Sequence, residues 1–250
     1  MQTAIVIPAR FGSCRLRGKP LLRQTGKYLI QHVYERAREA RCAQQVVIAT
    51  DDPRVRAAAQ HFGATCLMTR RSHVNGTERV AEVAASLHAD IIINVQGDEP
   101  LIEPADIDRL AEQVSSRQVL MATLATPIRD VSMYRDPNCV KVVRADDGRA
   151  LYFSRAPIPF FREGTPSLGS ASVLQHIGIY AYRRDFLMQL VQMPVHELET
   201  IEKLEQLRVL AMGFPIHVGL TDHVSRGVDT YEDYRRFVEQ FRSRNRVLAA

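Results

Sequence analysis

The stretch Ala4-Ile5-Val6-Ile7-Pro8-Ala9-Arg10-Phe11-Gly12-Ser13-Cys14-Arg15-Leu16-Arg17-Gly18-Lys19-Pro20 joins an apolar run to a basic loop. The run at residues 4–7 is too short for a helix and is bounded by Pro8, which reads as a buried parallel strand. The loop carries two glycines, three arginines and one lysine. Glycines let a backbone approach a ligand closely, and cations offer a polyanion charge and forked donors. After the first strand of an α/β sheet such a loop sits at the carboxyl edge, where these sheets bind ligands. It reads either as a triphosphate cradle or as a solvated basic loop. Two phosphate motifs fail here. A P-loop needs four residues between its glycines and a hydroxyl residue after its lysine. Five residues separate Gly12 from Gly18, and Pro20 follows Lys19. The G-x-G-x-x-G dinucleotide fingerprint is also missing.

Moving outward, the spacing of Leu29, Ile30, Val33 and Tyr34 predicts a helix over 28–39, and residues 46–49 a second buried strand. Asp51-Asp52-Pro53 reads as a helix start, with capping rather than catalysis as the role of both aspartates, and Gly63 as the stop. A short strand over 65–68 follows. Asn75 or Thr77 caps a helix reaching 87, and its free amides with Arg79 suit base or phosphate recognition as well as an ordinary cap. Residues 91–96 form the most apolar strand and run into Gly97-Asp98-Glu99-Pro100. Carboxylates there face the ligand crevice, and Asp98 reads as a magnesium ligand, a turn cap being the alternative. The next helix covers 104–115.

Alternation of strand and helix over the first ~125 residues indicates right-handed crossovers and a parallel sheet. The second half changes character. Strands at 140–143 and 151–153 flank Asp146-Asp147-Gly148, a hairpin signal. A polar loop, a strand over 175–182, a helix from 184 to about 193 and one longer helix over 197–212 follow. The apolar residues of the last recur every third position and wind around it, so Glu205 and Gln206 cannot be assigned to one face. A strand over 216–220, Gly227-Val228-Asp229-Thr230 and a terminal helix close the chain. The reading is one α/β domain, a mostly parallel Rossmann-like sheet flanked by helices, with an inserted mixed β region.

The 250 residues are 46% hydrophobic and 24% charged, ordinary for a globular chain that buries a large core without staples. The net charge of +5 suits an anionic small substrate. Basic residues outside the first loop are scattered and tryptophan is absent, which argues against nucleic acid. Cys14, Cys42, Cys66 and Cys139 lack metal spacing and read as reduced thiols. No stretch approaches the ~20 apolar residues of a membrane span, and no signal peptide opens the chain, so a cytoplasmic location is expected.

Several separated stretches together resemble one family. They are Ile7-Pro8-Ala9-Arg10 with Ser13, Arg15-Leu16 and Gly18-Lys19-Pro20-Leu21; His73 with Gly76-Thr77-Glu78-Arg79; and Gln96-Gly97-Asp98-Glu99-Pro100. Phe153-Ser154-Arg155, His176-Ile177-Gly178-Ile179-Tyr180, Glu205-Gln206-Leu207-Arg208 and Gly227-Val228-Asp229-Thr230 complete the set. In order and spacing they resemble the sugar nucleotidyltransferases that make CMP-activated acid sugars, in particular the 3-deoxy-manno-octulosonate (Kdo) cytidylyltransferase, or CMP-Kdo synthetase, family.

The resemblance implies the nucleotide-diphospho-sugar transferase fold, transfer of CMP from CTP to Kdo for lipopolysaccharide assembly, Mg2+ and a homodimer. It implies a nucleotide part over about 1–130, a sugar-binding and dimerisation part over 131–220, and a metal-ligand loop and helix over 221–250. It implies that Ala9, Arg10, Ser13, Arg15, Lys19, Asn75, Gly76 and Arg79 bind the nucleotide, and that Asp98 and Asp229 hold the metal. Lys19, Arg15, Asp98 and Asp229 would carry the catalysis. Gln96, Arg155, His176, Glu205 and Gln206 would line the sugar site, with Arg155 suited to its carboxylate. By their residues alone, His176 also reads as a packed strand histidine, and Glu205 with Gln206 as an exposed helix pair. Cys14, Arg17, Ser72 and Asn75 depart from the family's usual threonine, proline, aspartate and serine. A related acid sugar, or a non-catalytic nucleotide-binding role on the same fold, are the rival readings.

Overall fold

The computed structural model describes residues 1–12, 16–116, 118–164, 168, 169, 171–223 and 227–248. The chain forms two compact units, one of residues 2–108 with 225–250 and the other of residues 109–224 with Met1.

In the first unit, strands β1 (Thr3–Pro8), β2 (Gln45–Thr50), β3 (Cys66–Met68) and β4 (Ile91–Asn94) run parallel, in the order β3-β2-β1-β4. Val6 lies opposite Val47 on one side and Asn94 on the other. β1 and β4 are buried along almost their whole length, which is why they read as continuous apolar runs rather than alternating ones. Helices α1 (Leu29–Arg38), α2 (Pro53–His61) and α3 (Gly76–Ala85) are the crossovers and pack on β1 and β2. Asp52 caps α2 by accepting from the Arg54 amide at 2.9 Å, and Asn75 caps α3 by accepting from the Glu78 amide at 2.8 Å. The last helix, α9 (Tyr231–Leu248), returns to this unit, where Leu29, Val228, Tyr234, Phe237 and Val238 form one buried cluster.

The chain leaves the first unit within α4 (Pro104–Ser115). In the second unit, β5 (Met121–Pro127) pairs antiparallel with β8 (Leu174–Arg183) and parallel with β9 (His217–Leu220). Strands β6 (Lys141–Arg144) and β7 (Ala150–Ser154) form the expected hairpin, and β6 also pairs antiparallel with β8. This is the mixed β region. A short helix, α5 (Val131–Arg135), capped by Asp130, precedes β6, and α6 (Arg184–Leu190) follows β8.

The single helix expected over 197–212 is two: α7 (Glu197–Glu202) and α8 (Gln206–Ala211), separated where Lys203 takes a left-handed φ of 55°. The winding apolar stripe is the cause. A continuous helix would turn Leu204 and Leu207 away from the core, whereas the break buries both and leaves Ile201 exposed.

Candidate functional site

The basic loop is held at its base by its own backbone. The Gly18 amide donates to the Phe11 carbonyl at 3.1 Å, and Gly18 adopts φ of 72° with the Phe11 ring against it. A side chain there would meet both the left-handed strain and the ring. The Arg54 guanidinium lies 3.5 Å from the centre of the Phe11 ring while it also pairs with Asp52. Gly18 then starts a 3-10 turn, Lys19–Leu21, that aims Lys19 inward. Ala9 is buried and bonded to the Ala49 carbonyl, and Arg10 is exposed. Ser13, Cys14 and Arg15 lie outside the described residues, as do Ser225 and Arg226.

Lys19 Nζ lies 2.6 Å from Asp98 Oδ2 and 3.4 Å from Asp229 Oδ1, so two carboxylates far apart in sequence share one cation. Backbone contacts bring them together. The Val228 amide donates to the Asp98 carbonyl at 2.8 Å, and a Cβ added at Gly227 would lie 3.1 Å from Glu99 Oε1. Thr230 and Asp233 make a reciprocal cap at the start of α9: Asp233 Oδ2 accepts from the Thr230 amide at 2.9 Å, and the Asp233 amide donates to Thr230 Oγ1 at 3.2 Å. That cap fixes the backbone of Asp229, whose amide also points at Asp233 Oδ2. The Thr230-x-x-Asp233 spacing is its sequence signal. On the other side, a Cβ at Gly97 would lie 2.6 Å from the Pro8 carbonyl oxygen, so only glycine lets the ends of β1 and β4 approach this closely.

The remaining nucleotide candidates lie in the same unit. A Cβ at Gly76 would touch the Pro8 ring at 3.6 Å and lie 3.8 Å from Gln96 Oε1, which puts Gly76 and Gln96 beside the start of the basic loop. Arg79 is buried, with one arm on Thr69 Oγ1 and the other 3.1 Å from Asp51 Oδ2. Asp51 is therefore the counterion of Arg79, and Asp52 alone serves as the cap. The neighbouring Arg54 side chain, bonded to Asp52, holds that carboxyl well below the usual range.

The sugar-site candidates apart from Gln96 lie in the second unit. Arg155 places its guanidinium on backbone carbonyls, with Nε 2.7 Å from the Glu202 oxygen and Nη1 3.0 Å from the Pro137 oxygen. Glu202 in turn accepts from Ser154 Oγ at 2.6 Å and the Arg155 amide at 2.9 Å. Phe153-Ser154-Arg155 thus staples the end of α7, immediately before Glu205 and Gln206. Nothing local in the sequence marks Glu202 for this task. Lys141 is fully buried and donates to the carbonyls of Asp136, Cys139 and Arg155 at 2.6–2.9 Å, and burial pushes its pKa down. His176 sits between Phe153 and Tyr180, with Nε2 3.0 Å from Thr123 Oγ1. Desolvation pushes its pKa down to about 3, so it is neutral at physiological pH. Glu205 is exposed at the start of α8, whereas Gln206 is 5% exposed and its Nε2 has no hydrogen-bond partner among the described residues. Both follow the helix break, Glu205 as the residue that opens α8 and Gln206 as its first turn.

A model of the family described as cytidylyltransferase matches residues 4–216. The chain belongs to the cytidylyltransferase family. Its full-length relatives there include 3-deoxy-manno-octulosonate cytidylyltransferases. The one from Syntrophotalea carbinolica is 49% identical over 242 residues, 94% of this chain and 97% of that protein. The one from Geobacter sulfurreducens is 48% identical over 250 residues, 97% and 100% of the two chains. A solved structure of CMP:2-keto-3-deoxy-manno-octonic acid synthetase complexed with CTP matches with a TM-score of 0.91 and 43% identity, covering 98% of this chain and 100% of that one. A cytidylyltransferase from Leptospira borgpetersenii shares the fold at a TM-score of 0.63 and 18% identity.

Proposed function

We propose that this chain transfers CMP from CTP to Kdo, giving CMP-Kdo and pyrophosphate for lipopolysaccharide assembly. The observation that carries the reading is the convergence of Lys19, Asp98 and Asp229 beside the basic loop, in a chain 43% identical to a synthetase complexed with CTP. The sugar's anomeric hydroxyl attacks the α-phosphorus, a new phosphorus–oxygen bond forms, and the bond to the β-phosphate oxygen breaks. Such transfer depends on positioning and charge neutralisation rather than covalent help. On this reading the Lys19 ammonium meets charge growing on the leaving pyrophosphate, with Arg10 and Arg15 as further cations of the loop. Ala9 and Gly76 offer backbone, and Asn75 and Arg79 hold the start of α3 in place for the nucleotide.

Magnesium fits the carboxylate pair. Two oxygen-donor side chains already surround one positive group, and no cluster of three or more metal-ligating side chains exists among the described residues. One or two carboxylates plus substrate phosphates is the usual magnesium arrangement. Held by Asp98 and Asp229, the ion would neutralise the α-phosphate and lower the pKa of the attacking hydroxyl.

The sugar reading assigns Gln96, Arg155, His176, Glu205 and Gln206 to the acid sugar. The unpartnered, buried Gln206 Nε2 supports it, because a donor left unsatisfied in the interior is costly unless a ligand uses it. A homodimer is part of the proposal; Leu151, Phe160, Val195 and Ile201 are large apolar side chains left exposed in the second unit. No helix among the described residues is long and apolar enough to cross a membrane. Cys42, Cys66 and Cys139 form no disulfide among the described residues, which suits a reducing compartment such as the cytoplasm. The test is pyrophosphate release on mixing CTP, magnesium and a panel of acid sugars, with UTP and ATP as competitors. Release with CTP and Kdo above all others is expected. Preference for another acid sugar would move the specificity, and nucleotide binding without release would overturn the enzymatic reading.

A further inference from the structure

Strands β5 and β8 slip in register between Thr123 and Leu124. Thr123 lies opposite Tyr180, whereas Leu124 lies opposite Ile177, so Gly178 and Ile179 form a bulge on β8. The fully buried Thr123 hydroxyl fills that bulge. Its Oγ1 is 2.8 Å from the Ile179 carbonyl oxygen, 3.1 Å from the Ile177 carbonyl oxygen and 3.0 Å from His176 Nε2.

A threonine hydroxyl has one proton, and carbonyl oxygens only accept. Were the proton directed at His176, Oγ1 would face two carbonyl oxygens at 2.8 and 3.1 Å with no hydrogen between them. In a buried site, oxygens facing one another without a proton are costly. The proton therefore lies on the carbonyl side, and Thr123 Oγ1 accepts from a protonated His176 Nε2. In a neutral imidazole the other nitrogen, Nδ1, then keeps its lone pair. The ring is held by the edge contact with Phe153, 5.0 Å between centres at 79°, and by Tyr180 at 5.4 Å. Desolvation keeps this imidazole uncharged at neutral pH.

We propose that Thr123 is a positioning residue that holds His176 as the Nε2–H tautomer, so that Nδ1 is presented as a neutral acceptor to a hydroxyl group of the sugar. The proposal rests on the reading of His176 as a sugar-site residue and deepens it by fixing the contact. A sugar hydroxyl can donate to Nδ1. A carboxylate has no proton to give, so the acid group of the sugar is recognised elsewhere. The β-bulge gains a purpose on this account, because a regular register would give Thr123 one cross-strand neighbour and no hold on the imidazole.

The test is long-range proton–nitrogen NMR of the histidine rings in 15N-labelled full-length protein at neutral pH, with His176→Gln to assign the signal. The free enzyme is expected to show the Nε2–H pattern for His176, and added Kdo is expected to shift Nδ1. An Nδ1–H or doubly protonated pattern in the free enzyme would overturn the proposal at Thr123. The Nε2–H pattern with no response to Kdo would overturn the sugar contact alone, and pyrophosphate release measured on the same sample tells whether Kdo is a substrate at all. Thr123→Val removes the acceptor at nearly constant volume. It should raise the KM for Kdo about three- to tenfold, as loss of one neutral hydrogen bond does, and leave the KM for CTP unchanged. Thr123→Ser should restore both the KM and the NMR pattern. A Thr123→Val enzyme with unchanged tautomer and unchanged KM would overturn the assignment, and the wild-type spectrum decides it even if that variant does not fold.

Discussion

Lys19 pairs with two carboxylates that approach it from distant parts of the sequence. Asp98→Asn or Asp229→Asn keeps the shape and removes one negative charge. Charge stabilisation by a metal is worth several kcal/mol, and each 1.36 kcal/mol is tenfold in rate, so turnover should fall by roughly a hundredfold or more in either variant. On the proposed shared magnesium site the two act as one unit, so the double variant should be little slower than either single one. Steady-state rates at limiting magnesium, with circular dichroism to verify folding, check this, and near-normal turnover in Asp229→Asn would refute the shared role. Arg155 calls for a different expectation. Its guanidinium is engaged with the carbonyls of Pro137 and Glu202, so it supports the turn at the end of α7 as well as any sugar contact. Arg155→Ala should lower stability by about 1–3 kcal/mol through the lost charged hydrogen bonds. The KM for Kdo should rise while that for CTP stays constant. Urea melts and two-substrate kinetics separate the two effects.

At the scale of elements, the break between α7 and α8 is the feature on which the second unit's candidates depend. Arg208 bridges it. Its Nε and Nη2 lie 2.7 and 2.8 Å from the two oxygens of Glu199, and Nη1 donates to the Met193 carbonyl at 3.1 Å. Both side chains of the ion pair are about nine-tenths buried, at 10% and 12% exposure. Removing one partner leaves the other charge buried and uncompensated. Arg208→Ala should therefore destabilise the protein by about 3–5 kcal/mol, seen as a lower urea midpoint. A loss below about 1 kcal/mol would mean that the pair behaves like a solvent-exposed one. The same element logic applies to β4. Its last residues deliver Gly97 and Asp98 to the end of β1, and the Pro8 carbonyl leaves no room for a Cβ between them.

Two desolvated histidines, His32 buried and His176 half-buried, give the whole molecule a pH signature. Burial pushes the pKa of His32 down to about 4, with Glu35 acting against the shift and Lys27 adding to it, and burial alone takes His176 to about 3. The unfolded chain titrates both near 6.5. Between that value and the folded ones the unfolded state binds more protons, so stability rises with pH there. It is complete above about pH 6.5 and declines as the pH falls toward 4, by an amount on the order of a few kcal/mol. Carboxylates held low by partners, such as Asp52 and Asp108, give way only further down. Urea midpoints across this range should fall in wild type. In His32→Gln the slope should be shallower, and an unchanged slope would mean that His32 is not the titrating group.

The α/β class was legible in the residues themselves. Apolar runs of four to six residues between helical stripes leave few alternatives to a parallel sheet with crossovers, and Asp52 before Pro53 or Asn75 before Gly76 marks a helix start by local chemistry alone. The order and spacing of the motifs likewise carried the family, which the cytidylyltransferase match to residues 4–216 bears out. Tertiary structure decided matters that no local rule reaches. It gave Asp51 to Arg79 and split the helix over 197–212 to bury Leu204 and Leu207. It engaged Arg155 with carbonyls around Glu202 and placed the Thr123 hydroxyl in a bulge that orients His176. It also carried Asp229 back to Asp98 through one backbone hydrogen bond from Val228. The physical reason is common to all of these. Propensity, capping and periodicity act within a few residues, whereas pairing of charges and protons depends on which groups the packed core holds within about 3 Å of one another.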